Sequence, residues 1–405
     1  MSSQQTKSTM TVAALVAFLC AASAGAHKAQ GHSEACQSYF TAEDPKRGVG
    51  VLNSTKKSAP LCRSCYPPIR TATELPTAAE ATRILVLQQR HQADVRAACN
   101  MQCLAQLPAV SEALAGEYEA GTTSSAVLGW VAARDDARGV LEIGASYGGG
   151  STSVLAAGVA TRHQKLTSLE ALDHKWLVGS RYYAPGGGGA GLDVNLLLGS
   201  SIGADELPRA SEMAAQHDMR PAKWLEFERK IAGAHGEGVL ASLLATGDFG
   251  FVFIDGGAFT GPAEWATIQA YAARFAGAPA SQQLWVAMDD THAKSTAILL
   301  AAHADKEKWE VVYEELNFFG LKTFQEAGYS FRGGHEVRQP REALGPLCVG
   351  WRRFAHSVWG EEASRVVRAA FDAAHQKSSE GTPEEKKRGL WVLQPRNFAL
   401  LRLRR

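Results

Sequence analysis

From Gly139 to Met288 the chain repeats one pattern: a short apolar run ends in small or acidic residues, and a stretch with helical periodicity follows. The runs are Val140–Ile143, Leu166–Leu169, Val194–Leu198, Phe251–Ile254 and Leu284–Met288. Each is of strand length, and strands buried on both faces read as continuous apolar runs. Strands alternating with helices require a parallel sheet covered on both sides, which excludes helix bundles and all-β sandwiches. Trp309–Tyr313 and Phe318–Phe324, joined by a short link, predict a terminal hairpin. The expected fold is α/β, a Rossmann-like doubly wound sheet of about seven strands, mostly parallel, with helical N- and C-terminal extensions.

The rest of the 405 residues divides around this core. Met10–Ala26 is an uncharged apolar run closing on Ala24-Gly25-Ala26, the pattern of a cleavable secretory signal. Left uncleaved, it would anchor the chain in a membrane with its bulk in the lumen. The expected location is the secretory pathway, lumenal or secreted, with a membrane anchor or routing to an organelle as the alternatives. Six cysteines follow: Cys36, Cys62, Cys65, Cys99, Cys103 and Cys348. An even number beyond a secretory signal suits disulfides, while Cys62-x2-Cys65 with Cys99-x3-Cys103 also has the spacing of a four-thiolate zinc site. Asn53-Ser54-Thr55 is a glycosylation acceptor.

The capping box Thr77-x-x-Glu80 opens a helix along which Ile84, Leu87, His91, Val95 and Ala98 recur on one face. Helices are also expected near 109–119 and 124–135. The domains read as signal 1–26, a Cys-containing helical region 27–137, a core 138–328 and an extension 329–405. Within the core, 179–192 reads as a flexible inserted loop. Residues 361–376 of the extension form an amphipathic helix, and Arg402, Arg404 and Arg405 read as a solvated tail. A net charge of +1 implies no nucleic-acid partner. Oligomeric state is not legible.

Ligands of open parallel sheets bind beyond the carboxyl ends of the strands. The first such end reads Val140-Leu-Glu-Ile-Gly-Ala-Ser-Tyr-Gly-Gly-Gly-Ser-Thr152, a strand entering a glycine-rich turn and then a helix start that offers N–H groups to an anion. Its spacing is not the G-x-G-x-x-G of dinucleotide enzymes. The second end carries Glu170, placed to accept hydrogen bonds from a ribose. The third, Gly199-Ser200-Ser201, has small polar residues that suit the flank of an adenine. Asp255, Asp289 and Asp290 close the fourth and fifth. Three neighbouring carboxylates call for a cation, and oxygen ligands select Mg²⁺ or Ca²⁺.

On these motifs the chain resembles the class I S-adenosylmethionine-dependent methyltransferases over about 138–325, and within them the group around catechol and caffeoyl-CoA O-methyltransferases. The resemblance implies methyl transfer to a hydroxyl of a small molecule or glycan. It assigns the methionine part of the cofactor to Glu142, Gly144 and Gly148, the ribose to Glu170 and the adenine to Ser201, with Ala145, Ser146 and Ser151 as further cofactor-binding residues. Asp255 would serve cofactor, metal and catalysis, with Asp289 and Asp290 completing the metal set. Cephalosporin-hydroxylase-like proteins share this layout, with Glu-Asp-Thr where this chain has Asp289-Asp290-Thr291. A binding module on the same fold is a third reading. It is motivated by Ala258, which stands where catechol enzymes carry a lysine, leaving Lys294 and His292 as candidate bases.

Overall fold

The computed structural model describes residues 74–99, 118, 121–209, 222–279, 281–291, 294–317, 350–380, 382–383 and 395–405. The signal run, five of the six later cysteines, the glycosylation acceptor, all but Tyr118 of the helix expected near 109–119, His292 and Phe318–Phe324 lie outside them. No helix among the described residues is long and apolar enough to cross a membrane.

Helices α1 (Ala78–Ala98) and α2 (Thr123–Ala132) precede the sheet. The alternating region supplies β1 (Gly139–Ile143), α3 (Ser151–Ala160), β2 (Leu166–Glu170), α4 (Asp173–Tyr183), β3 (Val194–Leu198), α5 (Ala222–His235) and α6 (Leu240–Thr246). It continues with β4 (Phe249–Ile254), α7 (Gly261–Ala272), β5 (Trp285–Met288), α8 (Thr296–Ala304) and β6 (Trp309–Asn317). Then come β7 (Gly350–Phe354), α9 (Val358–Glu380) and β8 (Phe398–Leu403). Together they make one eight-stranded sheet in the order β3-β2-β1-β4-β5-β8-β6-β7. The α/β doubly wound architecture is as the sequence predicts.

Strands β3, β2, β1, β4 and β5 are mutually parallel. Alternate side chains enter opposite layers: Leu141, Ile143, Val252 and Ile254 pack on one face, Val140, Phe251 and Phe253 on the other. All seven are buried almost completely. Thr77 caps α1 by accepting the Glu80 amide, as the capping box predicts. The buried face of α1 runs through Ala81, Ile84, Gln88 and Val95, whereas Leu87 is exposed. Gln88 turns inward because its amide donates to the Leu198 carbonyl at the end of β3.

The C-terminal reading needs correction. The extension is not separate from the core sheet: β8 lies between β5 and β6, antiparallel to both, so the last residues complete the sheet. Arg402 is no solvated tail. It sits opposite Glu310 in the ladder and donates to it at 2.7 Å. The partners of β6 are β8 and β7, both antiparallel. Two fully buried carboxylates on β6 are tolerated because each is matched. Glu314 faces His303 at 2.8 Å and Arg353 at 3.3 Å. Glu315 accepts from Thr123, Tyr313, Arg352 and the Arg396 amide. The expected loop at 179–192 is likewise helical as far as Tyr183. Gly179 lies inside α4 because the helix passes close to the Tyr147 carbonyl and Leu196, where a Cβ would collide.

Candidate functional site

Neighbours β1 and β4 form the switch point of the sheet, the place where a doubly wound fold opens a crevice beyond its strand ends. The backbones meet closely there. Gly144 has φ +94°, and a Cβ on it would lie 2.1 Å from the Asp255 carbonyl oxygen. The Asp255 amide donates to the Ile143 carbonyl at 2.9 Å, and the Asp289 amide to that of Ile254 at 3.1 Å. The ends of β1, β4 and β5 are therefore side by side, and Gly144, Asp255 and Asp289 stand in a row.

The glycine-rich turn is built by three contacts. The Gly144 and Ala145 amides both donate to the Leu169 carbonyl, locking the turn to β2. Ala145 is buried against the layer that holds Trp176 and Val178. Gly148, with φ +83°, closes against Gly179 and the Tyr183 ring, and the Tyr183 hydroxyl donates to its carbonyl. Between them Ser146 is exposed in the left-handed region, φ 53°, a conformation a non-glycine residue adopts at some cost. Helix α3 then starts at Ser151 with no side-chain cap.

Glu142 is wholly buried under this turn. Its Oε2 accepts from Thr152 and Ser168, both at 2.7 Å, while Oε1 has no hydrogen-bond partner. Burial pushes its carboxyl up to about 7, against the opposing pull of the Ser168, Ser151 and Thr152 hydroxyls around it. An orphaned buried carboxylate oxygen at the switch point fits a cationic ligand group. It also has a consequence for stability. The folded-state value lies above the ordinary 4.5, so the native form holds the proton longer. Its ionisation therefore removes stability as pH rises from about 4.5 to about 7. Glu142→Gln is expected to flatten that slope and to raise the stability of the ligand-free protein at pH 8 by roughly 3 kcal/mol at most. Urea unfolding at pH 5 and pH 8 reads it; equal slopes in the two chains contradict it.

Glu170 is also buried, and burial raises its carboxyl despite Lys175 and the amides of Leu172, Ser146 and Ala171 around it. The Leu172 amide donates to Oε1 at 2.8 Å. The side chain thus ties the glycine turn to the loop after β2, and with about four acceptor positions a carboxylate so held still has room for a hydroxyl. The Ser201 hydroxyl donates at 2.6 Å to the buried Glu264, whose Oε1 lies against Gly256 just past β4. Burial pushes Glu264 up to about 7.

Asp255, Asp289 and Asp290 are brought to one edge, but Lys294 already neutralises them. Its ammonium is bonded to Asp255 Oδ1 and lies 3.5 Å from Asp290 Oδ2 and 3.3 Å from the Gly256 carbonyl. Burial alone would lower the lysine; Asp255, Asp290 and Asp289 outweigh it and hold it well above its ordinary value. Lys294 is therefore a fixed cation, and the expectation that it serves as a base is corrected. The donor set does not fit a divalent ion either. Among the described residues these carboxylates do not converge on one point, and an ammonium fills the space between two of them.

Sequence reasoning missed Tyr118, whose buried hydroxyl donates to Asp289 Oδ1 at 2.7 Å. Burial raises this phenol well above its ordinary value, with Asp289 reinforcing the effect. It also missed Glu228 of α5, which accepts the Ala258 and Phe259 amides and so supports the loop after β4. Neither residue belongs to a sequence pattern. Asp290, like Ser146, is left-handed (φ 52°), so both non-glycine residues of the site with positive φ lie at strand ends. Trp176 is a core residue bonded to the Leu196 carbonyl.

No protein-family model matches the chain, and no curated protein matches it. Among solved structures it is similar to an S-adenosylmethionine-dependent methyltransferase from Thiobacillus denitrificans in complex with S-adenosyl-L-homocysteine. The identity is 13%, covering 69% of this chain and 90% of that one, with a TM-score of 0.29.

Proposed function

We propose that the crevice beyond β1, β2 and β4 binds S-adenosylmethionine and that the chain transfers its methyl group to an acceptor hydroxyl on a small molecule or glycan. The observation that carries this reading is the juxtaposition at the switch point. A glycine forced by close approach, an orphaned Glu142 oxygen beneath it and Glu170 on the next strand end meet within one turn. Glu142 and the turn around Ser146 suit the amino-acid end of the cofactor, and Glu170 its ribose. Bound there, S-adenosylmethionine supplies a methyl already activated on a sulfonium, so the protein's task is mainly orientation.

Asp255 is the carboxylate assigned to receive the acceptor's proton, since it borders Gly144 at the switch point and only its Oδ1 is held by Lys294. Tyr118 and Lys294 position the aspartates. No divalent cation enters this account.

Titration calorimetry of the chain with S-adenosylmethionine tests it. Micromolar binding is expected, weakened at least tenfold in Glu170→Gln. A folded chain that binds neither S-adenosylmethionine nor S-adenosylhomocysteine overturns the proposal. Binding without turnover over a broad hydroxyl panel would support a binding module instead.

A further inference from the structure

We propose that His91, Asp173 and His235 form a transition-metal site, suited best to Zn²⁺, that staples α1 and α5 to the loop after β2. His91 comes from the middle of α1, Asp173 is the first residue of α4 and His235 the last of α5. One ligand atom from each lies within 4.8 Å of the other two, and among the described residues no other group of three His, Cys, Asp or Glu meets this condition. The imidazoles stand edge to face, with centroids 5.1 Å apart at 83°.

Their hydrogen bonding is what points to a cation. His235 Nε2 lies 2.7 Å from the Ala171 carbonyl, an acceptor only, so that nitrogen carries the proton and Nδ1 of the neutral ring bears the lone pair. Nδ1 is buried and without a partner, and so is His91 Nε2. Two orphaned imidazole nitrogens beside one carboxylate is a costly arrangement for an empty site and an ordinary one for a ligand set. The hydrogen bond from His235 to a backbone carbonyl is the support that metal-bound imidazoles usually have, since it fixes tautomer and ring orientation. Two nitrogens and one oxygen favour Zn²⁺ over Ca²⁺ or Mg²⁺, which take oxygen, and three protein ligands leave a fourth position for water. The residues are half-buried, so the position is reachable. The staple does not depend on the methyl-transfer reading. It would, however, brace the segment Ala171–Asp173, whose Leu172 amide holds Glu170.

The test uses the full chain freed of metal by chelation. Zn²⁺ binding is measured by competition with a chromophoric chelator, and Co²⁺ serves as a spectroscopic probe. One ion per chain is expected at the histidine site. Its Co²⁺ spectrum should show d–d bands of imidazole and carboxylate ligation without thiolate charge transfer, and Zn²⁺ should raise the melting temperature. His91→Ala and His235→Ala are expected to weaken Zn²⁺ at least a hundredfold while melting where the metal-free wild type melts. If they melt lower, Asp173→Asn replaces them, with at least a tenfold loss expected. A Cys62→Ser, Cys65→Ser chain, expected to bind as wild type, separates this site from any thiolate site. Wild-type binding in both histidine variants, affinity that resides in the cysteines, or a wild type that takes up no ion overturns the proposal.

Discussion

Gly144→Ala is expected to cost about 4 kcal/mol or more, enough to remove most folded protein from a chain of ordinary stability. Two effects combine at this position. An alanine at φ +94° is strained wherever it occurs, and here its Cβ would also stand 2.1 Å from the Asp255 carbonyl oxygen. Neither backbone yields easily, because the Asp255 amide is bonded to Ile143 and the Gly144 amide to Leu169. Gly186→Ala isolates the first effect: it has φ +84° and nothing within 4 Å of the added carbon, so about 1 kcal/mol is expected. Urea unfolding of the three chains gives the comparison. Equal losses at the two positions would mean that β1 and β4 do not approach as described.

Lys294→Met is expected to cost about 2–3 kcal/mol near pH 7, because it removes a buried ammonium from between the partly exposed carboxylates of Asp255 and Asp290. The sign of its pH dependence identifies the cause. In the wild type the lysine is held above its ordinary 10.5, so its contribution is complete below about pH 10.5 and is lost only as pH rises beyond that. Without the lysine, the like charges of Asp255, Asp289 and Asp290 face one another uncompensated. The gap to wild type should therefore be full below about pH 10.5 and narrow above it, where the wild type loses the lysine's contribution. A gap that does not narrow there would show that lost packing, not charge, is responsible. The same variant frees Asp255 from its tether, so on the proposed function methyl transfer should fall even where the chain stays folded.

The two experiments probe different layers of one edge. Gly144 sets how closely the strand ends meet, and Lys294 sets what charge that edge can hold. The resemblance placed a metal among Asp255, Asp289 and Asp290, on the sound ground that three carboxylates need a cation. The cation present is an ammonium four residues past Asp290. Acidic residues at strand ends are visible in a sequence, but the path of the segment after β5 is not, and that path decides whether Lys294 turns in or out.

What the sequence by itself determined is the part of the molecule governed by local rules. Apolar runs of strand length fixed β1 to β5, and the position of an acid at a strand end located Glu142, Glu170, Asp255 and Asp289. A capping box fixed the start of α1. These features follow from period, burial and backbone conformation over a few residues. Tertiary structure alone decided the remainder. It placed β8 between β5 and β6, because Phe398–Leu403 finds its hydrogen bonds with strands more than 80 residues earlier in the chain. It turned Gln88 inward and Leu87 outward, because a carbonyl of β3 needed a donor. It set Tyr118 against Asp289 and gathered His91, Asp173 and His235 from three helices. Such contacts join residues with no common period and no fixed spacing, so no local pattern encodes them; they exist only once the layers have packed.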